Sequence, residues 1–216
     1  MSYAVDMGWR EDNPCRSVKR PRLSREGWHS WTDDEIAAYR AHHPYGGMAR
    51  LAFELALCSL QRRSDLVRLG RQHIRDGLLT VTQQKTGSIA HVEIGVELQA
   101  ALMAANGHLT FLVTEAGAPF TPDGLTHYIS RRCKEAGISN CPLHGLRKAG
   151  ARLAVEAGCD IVEIAAIGGW QSVRQLERYI ADYNRKAAAR RAGAKIRTAT
   201  LTRTQGEPIR TQSEKP

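Results

Sequence analysis

The chain has 216 residues, enough for one substantial core and a small appendage. Lys and Arg outnumber Asp and Glu by 31 to 22, a formal net charge of +9, which makes a polyanionic partner worth testing without naming it. Five cysteines (Cys15, Cys58, Cys133, Cys141, Cys159) form no C-x-x-C pair, and neither a secretory signal nor a bilayer-length apolar run is present; a disulfide framework and a membrane span are excluded, and a reducing cytoplasm is expected.

Residues 1–30 mix Gly8, Pro14, Pro21 and Gly27 with the basic cluster Arg16, Lys19, Arg20, Arg22 and Arg25, and read as a short helical remnant followed by a basic linker. Thr32 and Glu35 make a capping box, so the folded domain is expected to begin with a helix carrying Ile36, Ala37 and Tyr39. His42, His43 and Pro44 read as a loop. The dense apolar run Met48–Leu60 reads as a buried helix.

From His73 to Ile94 the pattern changes. Ile74, an Asp76-Gly77 turn, Leu78–Gln84, a Lys85-Thr86-Gly87 turn and Ile89–Ile94 predict a three-stranded antiparallel meander. Helical patterns resume at Val96–Ala105, Pro122–Ala136 and Gly145–Ala157, with Gly137 and Gly158 as stops, then at Ile161–Ile167, Val173–Ile180 and Asp182–Ala192. Thr198–Pro216 is polar and reads as a disordered tail. The expected fold class is α+β, predominantly helical, with one small antiparallel sheet. Its expected parts are 1–30, a catalytic domain at 31–194, and the tail at 195–216.

Four separated segments carry chemistry: Gln61-Arg62-Arg63-Ser64-Asp65, Gln84-Lys85-Thr86-Gly87, His144-Gly145-Leu146-Arg147, and Gly169-Trp170 with Tyr179 nine residues on. Arg62 follows a strongly apolar helix, where a permanent charge needs an anion, and Asp65 is a candidate to orient it. His144 and Arg147, three apart at a helix start, share a face that suits a phosphate. Lys85 sits in a hairpin turn, from which an ammonium can reach out to protonate a departing oxygen. Tyr179, with Arg174 and Arg178 close in sequence, has a phenol whose pKa of about 10 needs cationic help before it acts as a nucleophile. Cys141 and His144 have the spacing of half a zinc site, but no second pair stands nearby, so no metal is expected. Alone, each segment reads equally as ordinary surface or core.

In order and spacing together, the series resembles the tyrosine recombinase (phage integrase) family from about Trp9 to Ala192. In that family an arginine segment, a hairpin lysine, H-x-x-R, G-[HW] and a tyrosine follow one another; they map onto Arg62, Lys85, His144 with Arg147, Trp170, and Tyr179. Tyr183, one helical turn beyond Tyr179, competes for the nucleophile, and the spacing from Trp170 favours Tyr179.

The resemblance implies a site-specific DNA recombinase or integrase acting through a 3′-phosphotyrosyl intermediate, with no cofactor. Its implied partner is double-stranded DNA, bound by a homo-tetramer. Arg62 and Arg147 would hold the phosphate, Lys85 would protonate the leaving oxygen, and His144 would hydrogen-bond the phosphate or accept the tyrosine proton; Trp170 would hydrogen-bond and pack without shuttling protons, with Asp65 in support and Lys148 and Arg63 contacting DNA. Three departures stand out: Trp170 where histidine is usual, Ser59-Leu60 where Thr-Gly is common, and an N-terminal core-binding domain reduced to its last helix and linker. A catalytically inactive DNA-binding remnant is the alternative, and a type IB topoisomerase the third reading.

Overall fold

A computed structural model describes residues 1–18, 27–105, 109–172, 176, 189 and 192–198. Its elements follow in chain order: α1 (Ser2–Asp6), α2 (Asp33–His42), α3 (Met48–Ser59), α4 (Arg63–Leu66), β1 (Ile74–Arg75), β2 (Leu78–Thr82), β3 (Ile89–Glu93), α5 (Val96–Leu102), α6 (Pro122–Glu135), α7 (Leu143–Ala157) and α8 (Ile161–Gly168). The expected helices at Val173–Ile180 and Asp182–Ala192, and nearly all of the expected tail, lie outside the described residues.

α2 starts as its capping box dictates: Thr32 Oγ1 accepts from the Glu35 N–H at 3.2 Å, and the Glu35 carboxylate accepts from the Thr32 N–H at 2.7 Å. Two helical orphan donors are thereby satisfied. The helix runs further than expected. His42 is its last residue, and His43 is a buried cap whose Nε2–H donates to the Arg132 carbonyl at 2.9 Å. A tertiary partner 89 residues away holds the ring where local sequence suggested a loop.

α3 is the hub, buried along nearly its whole length and packed against α5, α6 and α7. Trp31, Tyr39 and Phe53 form the aromatic centre of the core, with the Tyr39 and Phe53 rings stacked at 4.6 Å. Two charged positions of α3 are buried as well: Glu54 is fully enclosed and receives both Arg40 and Arg50.

The sheet is the expected meander, with order β1-β2-β3 and all pairs antiparallel. Leu79 and Val81 face the core opposite Val92 and Ala90, while Thr80 and His91 point outward, the period-2 signature of a sheet covered on one face. α8 lies beside β3 and also contacts α7, which brings the ends of α3, α7, α8 and the β2–β3 hairpin to one place. Among the described residues no helix is long and apolar enough to cross a membrane.

Candidate active site

The site begins where α3 stops. Leu60 caps the helix in the left-handed region, at φ 55° and ψ 26°. A leucine there carries a steric cost of roughly 1–2 kcal/mol. Its side chain is buried against Ala151, Ile164 and Trp170, and that burial offsets the strain. The chain then extends through Arg62, which caps α4.

α7 starts at Leu143, two residues earlier than the apolar pattern suggested, so His144 and Arg147 stand one turn apart inside it. Arg147 is almost completely buried. Its Nη1 donates to the Leu60 carbonyl and its Nη2 to the Gly168 carbonyl at 2.9 Å, while the guanidinium lies 4.1 Å from the centre of the Trp170 ring. The planar fork thus meets two main-chain oxygens and an aromatic face, which a lysine cannot reproduce. α8 ends through Gly169, at φ 65°, and folds Trp170 back over the helix end. A Cβ on Gly168 would overlap the Trp170 ring, so the indole position requires glycine there.

Arg62 is half-buried, and its Nη1 donates to the Gln83 Oε1 at 2.6 Å. Asp65, the partner expected from sequence, serves differently: its Oδ1 accepts from the Gln84 N–H at 2.9 Å and ties α4 to the hairpin. Lys85 is exposed at the apex of that hairpin, next to Gln83, whose main chain closes the turn through Gly87 and Ser88. Gln171 donates from its side chain to the Thr86 carbonyl at 3.4 Å, linking the turn to the segment after Trp170.

His144 is partly buried with Arg147, Arg62 and Arg63 around it. Burial first, then these three positive charges, pushes its pKa down to about 4 from 6.5. The ring is therefore neutral at pH 7 and offers one donor and one acceptor. Lys148, on the same helix, reaches the Trp28 carbonyl at 3.4 Å. Arg63 clips α4 to α6 through Asp123 at 2.6 Å, in an exposed pair.

A strap from Gly27 to Trp31 crosses the start of α7. The Trp31 Nε1–H donates to the Pro142 carbonyl at 3.0 Å, and His29 meets the Glu35 carboxylate at 2.8 Å. Trp28, His29, Trp31, Lys148 and Arg152 border an open cleft of about 510 Å³ beside the site. Among the described residues, two trios bring metal-type donors within 4.8 Å of one another, His29 with Glu35 and Cys141, and His42 with His43 and Glu135. In the first, burial and then Glu35 push the Cys141 thiol up to about 12, so it stays protonated beside a carboxylate already engaged by Thr32. In the second, the His43 Nε2 carries a proton for the Arg132 carbonyl.

Arg62, Asp65, the Lys85 turn, His144, Arg147 and Trp170 thus gather around the ends of α3 and α8. Tyr179 and its competitor Tyr183 lie outside the described residues. Sequence reasoning missed Gln83. Its signal was present, because Leu79, Val81 and Gln83 share one strand register, and a polar side chain facing inward there must find partners.

The sequence model of the phage integrase family matches residues 34–186. The chain belongs to the phage integrase family. It is 27% identical over 150 residues to the integrase of Escherichia phage HK022 and 29% identical over 150 residues to that of Escherichia phage lambda. Each of these alignments covers 63% of this chain and 40% of the relative, so this family member spans less than half the length of those integrases. A lambda integrase dimer bound to a COC′ core site superposes with a TM-score of 0.71 at 25% identity, covering 82% of this chain and 68% of that one. XerA recombinase shares the fold, with a TM-score of 0.64 at 20% identity over 77% of this chain and 65% of its own.

Proposed function

We propose that this chain is a site-specific DNA recombinase that cleaves and rejoins strands of double-stranded DNA through a 3′-phosphotyrosyl intermediate. The observation that supports it is a buried arginine, Arg147, joined to Arg62 through the Gly168 carbonyl and Gln83, with neutral His144 alongside. Two guanidiniums held by neutral oxygens suit the non-bridging oxygens of a phosphodiester.

In this reading the Tyr179 oxygen attacks phosphorus, the bond from phosphorus to the 5′-oxygen breaks, and Lys85 gives that oxygen a proton. His144 hydrogen-bonds the phosphate or takes the tyrosine proton. Arg62 and Arg147 stabilise the charge that grows on the non-bridging oxygens, each contributing about 3–4 kcal/mol if they resemble other preorganised donors. Trp170 holds the Arg147 plane. Rejoining reverses these steps with a new 5′-hydroxyl, and no metal or nucleotide takes part.

Residues 31–194 form the catalytic unit, flanked by 1–30, the last helix and linker of a core-binding domain, and the 195–216 tail. Lys148 and Arg63 contact the DNA backbone. Arg63 exchanges an exposed pair worth less than about 1 kcal/mol to do so. Lambda integrase forms a tetramer on a Holliday junction; a homo-tetramer on synapsed DNA, in the cytoplasm and associated with the nucleoid, is the corresponding assembly here.

A nicked suicide duplex tests the reading. A covalent protein–DNA adduct that survives denaturation is expected, and Tyr179→Phe abolishes it. If no adduct forms on any candidate site, even with an N-terminal DNA-binding half restored, the enzymatic reading fails. If Tyr183→Phe, and not Tyr179→Phe, removes the adduct, the nucleophile is wrongly assigned.

A further inference from the structure

Gln83 stands at the end of β2 with its side chain almost completely buried, a place where an amide is costly unless every polar atom is used. All are used. Its Oε1 accepts from the Arg62 Nη1 at 2.6 Å and from the Thr86 Oγ1 at 3.0 Å. Its Nε2 donates to the Gln61 Oε1 and to the Gly168 carbonyl, both at 2.7 Å.

Those partners come from three parts of the molecule. Gln61 and Arg62 belong to the segment after α3, Thr86 to the turn that carries Lys85, and Gly168 to the end of α8, where Arg147 also binds. Gln61 extends the set, donating to the Ile167 carbonyl at 2.9 Å. A Cβ on Gly169 would collide with the Gln83 amide, so the α8 end is shaped around this side chain. The main chain of Gln83 also closes the hairpin, accepting from Gly87 and donating to Ser88, each at 2.9 Å.

We infer that Gln83 is a positioning residue that fixes the Arg62 guanidinium relative to the Lys85-bearing turn and the Gly168 carbonyl, so that phosphate binding and leaving-group protonation are set by one buried amide. The inference rests on the DNA-cleavage reading above and deepens it. Arg62 is only half-buried and keeps donors beyond the one given to Gln83, so it can engage Gln83 and a phosphate together. An amide suits this position because it offers an acceptor to Arg62 and donors to two oxygens. A carboxylate would repel those oxygens, and an aliphatic chain would hold nothing.

The test is single-turnover cleavage by the 216-residue chain of two nicked suicide duplexes, one with the natural 5′-oxygen leaving atom and one with sulfur in its place. A thiolate departs without a proton, so the sulfur duplex reports cleavage independently of Lys85. Gln83→Met keeps the volume and removes the hydrogen bonds; Thr86→Val cuts the link from Gln83 to the turn, together with a long bond of 3.4 Å from the Ser88 N–H within the turn.

Misplacement by about 1 Å costs on the order of 100-fold, the size of slowing expected for Gln83→Met on the oxygen duplex, with DNA affinity changed less than about threefold. Thr86→Val slows the oxygen duplex by about tenfold, and the sulfur duplex restores it nearly fully, because only proton delivery is disturbed. The sulfur duplex restores Gln83→Met in part, since Arg62 is displaced as well. A purely structural defect would slow both duplexes equally. If the unaltered chain forms adduct and both variants match it on the oxygen duplex, or if both duplexes slow in parallel for both variants, the inference is overturned alone. If the unaltered chain forms no adduct on either duplex, even with an N-terminal DNA-binding half supplied, the cleavage reading falls and the inference with it.

Discussion

Two groups of arginines, each pairing a buried guanidinium with a half-buried one, lie at opposite ends of α3, and they are satisfied in different ways. In the first, Arg40 meets the enclosed Glu54 carboxylate through two bonds of 2.9 Å, and Arg50 meets it at 2.6 Å. Arg50 spends further donors on the carbonyls of Arg40 and His43, and its guanidinium lies 4.0 Å from the Tyr45 ring centre. In the second, Arg62 meets an amide oxygen and Arg147 meets two carbonyls. A carboxylate neutralises a guanidinium, whereas carbonyl and amide dipoles orient it and leave its charge in place. The first group fastens α2 to α3; under the proposed cleavage reading, the second receives an anion.

The sharpest way to break this comparison is to change one cation on each side. Arg147→Lys keeps the charge and loses the fork, and cleavage is expected to fall by roughly 100- to 1,000-fold while thermal unfolding changes little by comparison. Single-turnover adduct formation and a melting curve, taken together, read both. Glu54→Gln should show the reverse. Leaving the buried Arg50 and the half-buried Arg40 without their carboxylate costs about 3–5 kcal/mol of stability, measured by urea unfolding, while the folded fraction cleaves at the unaltered rate. Equal kinetic losses in the two variants would erase the distinction.

Trp170 gives a smaller, sharper test on the anion-receiving side. Its ring packs under the Arg147 guanidinium and over Gly168, so Trp170→Ala removes about 3–5 kcal/mol of packing and lets the guanidinium tilt. Trp170→His keeps a flat ring with an N–H and is expected to be the milder change in adduct yield. Unimpaired cleavage by both variants would show that the indole has no part in holding Arg147.

The smallest effect is in pH dependence. His144 is depressed to about 4 in the folded chain against 6.5 unfolded, so between those values the unfolded state binds more protons. Its contribution to stability is complete above about pH 6.5 and is lost as the pH falls toward 4. His144→Asn should flatten the slope of melting temperature against pH across that window. A duplex phosphate in the site would offset the surrounding arginines and raise the titration, visible in the imidazole NMR signals.

Elements that depend on neighbours in sequence were legible. Thr32 and Glu35 announced the start of α2, the Asp76-Gly77 and Lys85-Thr86-Gly87 turns announced the meander, and Gly158 the end of α7. The grouping was legible too: order and spacing carried Arg62, Lys85, His144, Arg147 and Trp170 as a set, and they lie together around the ends of α3 and α8. What joins them was not. Arg62 reaches Gln83 across 21 positions and Gln83 reaches Gly168 across 85, so local sequence offered Asp65 as the partner instead. His42 was misread, since it ends α2, and the burial of His43 in the loop beyond is decided by a partner on α6. Glu54 was not singled out, because a burial of that kind is decided by Arg40, 14 positions away. Trp31 was recoverable: it precedes the cap of α2 with Ile36 four positions into the helix, the two places that meet in a hydrophobic staple, and both are buried.

The two carbonyls that receive Arg147 belong to Leu60, which caps α3, and to Gly168, the last residue of α8. Two helix macrodipoles therefore point their negative ends at one guanidinium, and each such end favours a cation by roughly 0.3–1 kcal/mol, more when partly buried. These acceptors are peptide oxygens, present whatever side chain the position bears. A leucine can consequently stand at position 60, and the electrostatic cradle would survive an exchange for glycine so long as the chain still turns left-handed at that point.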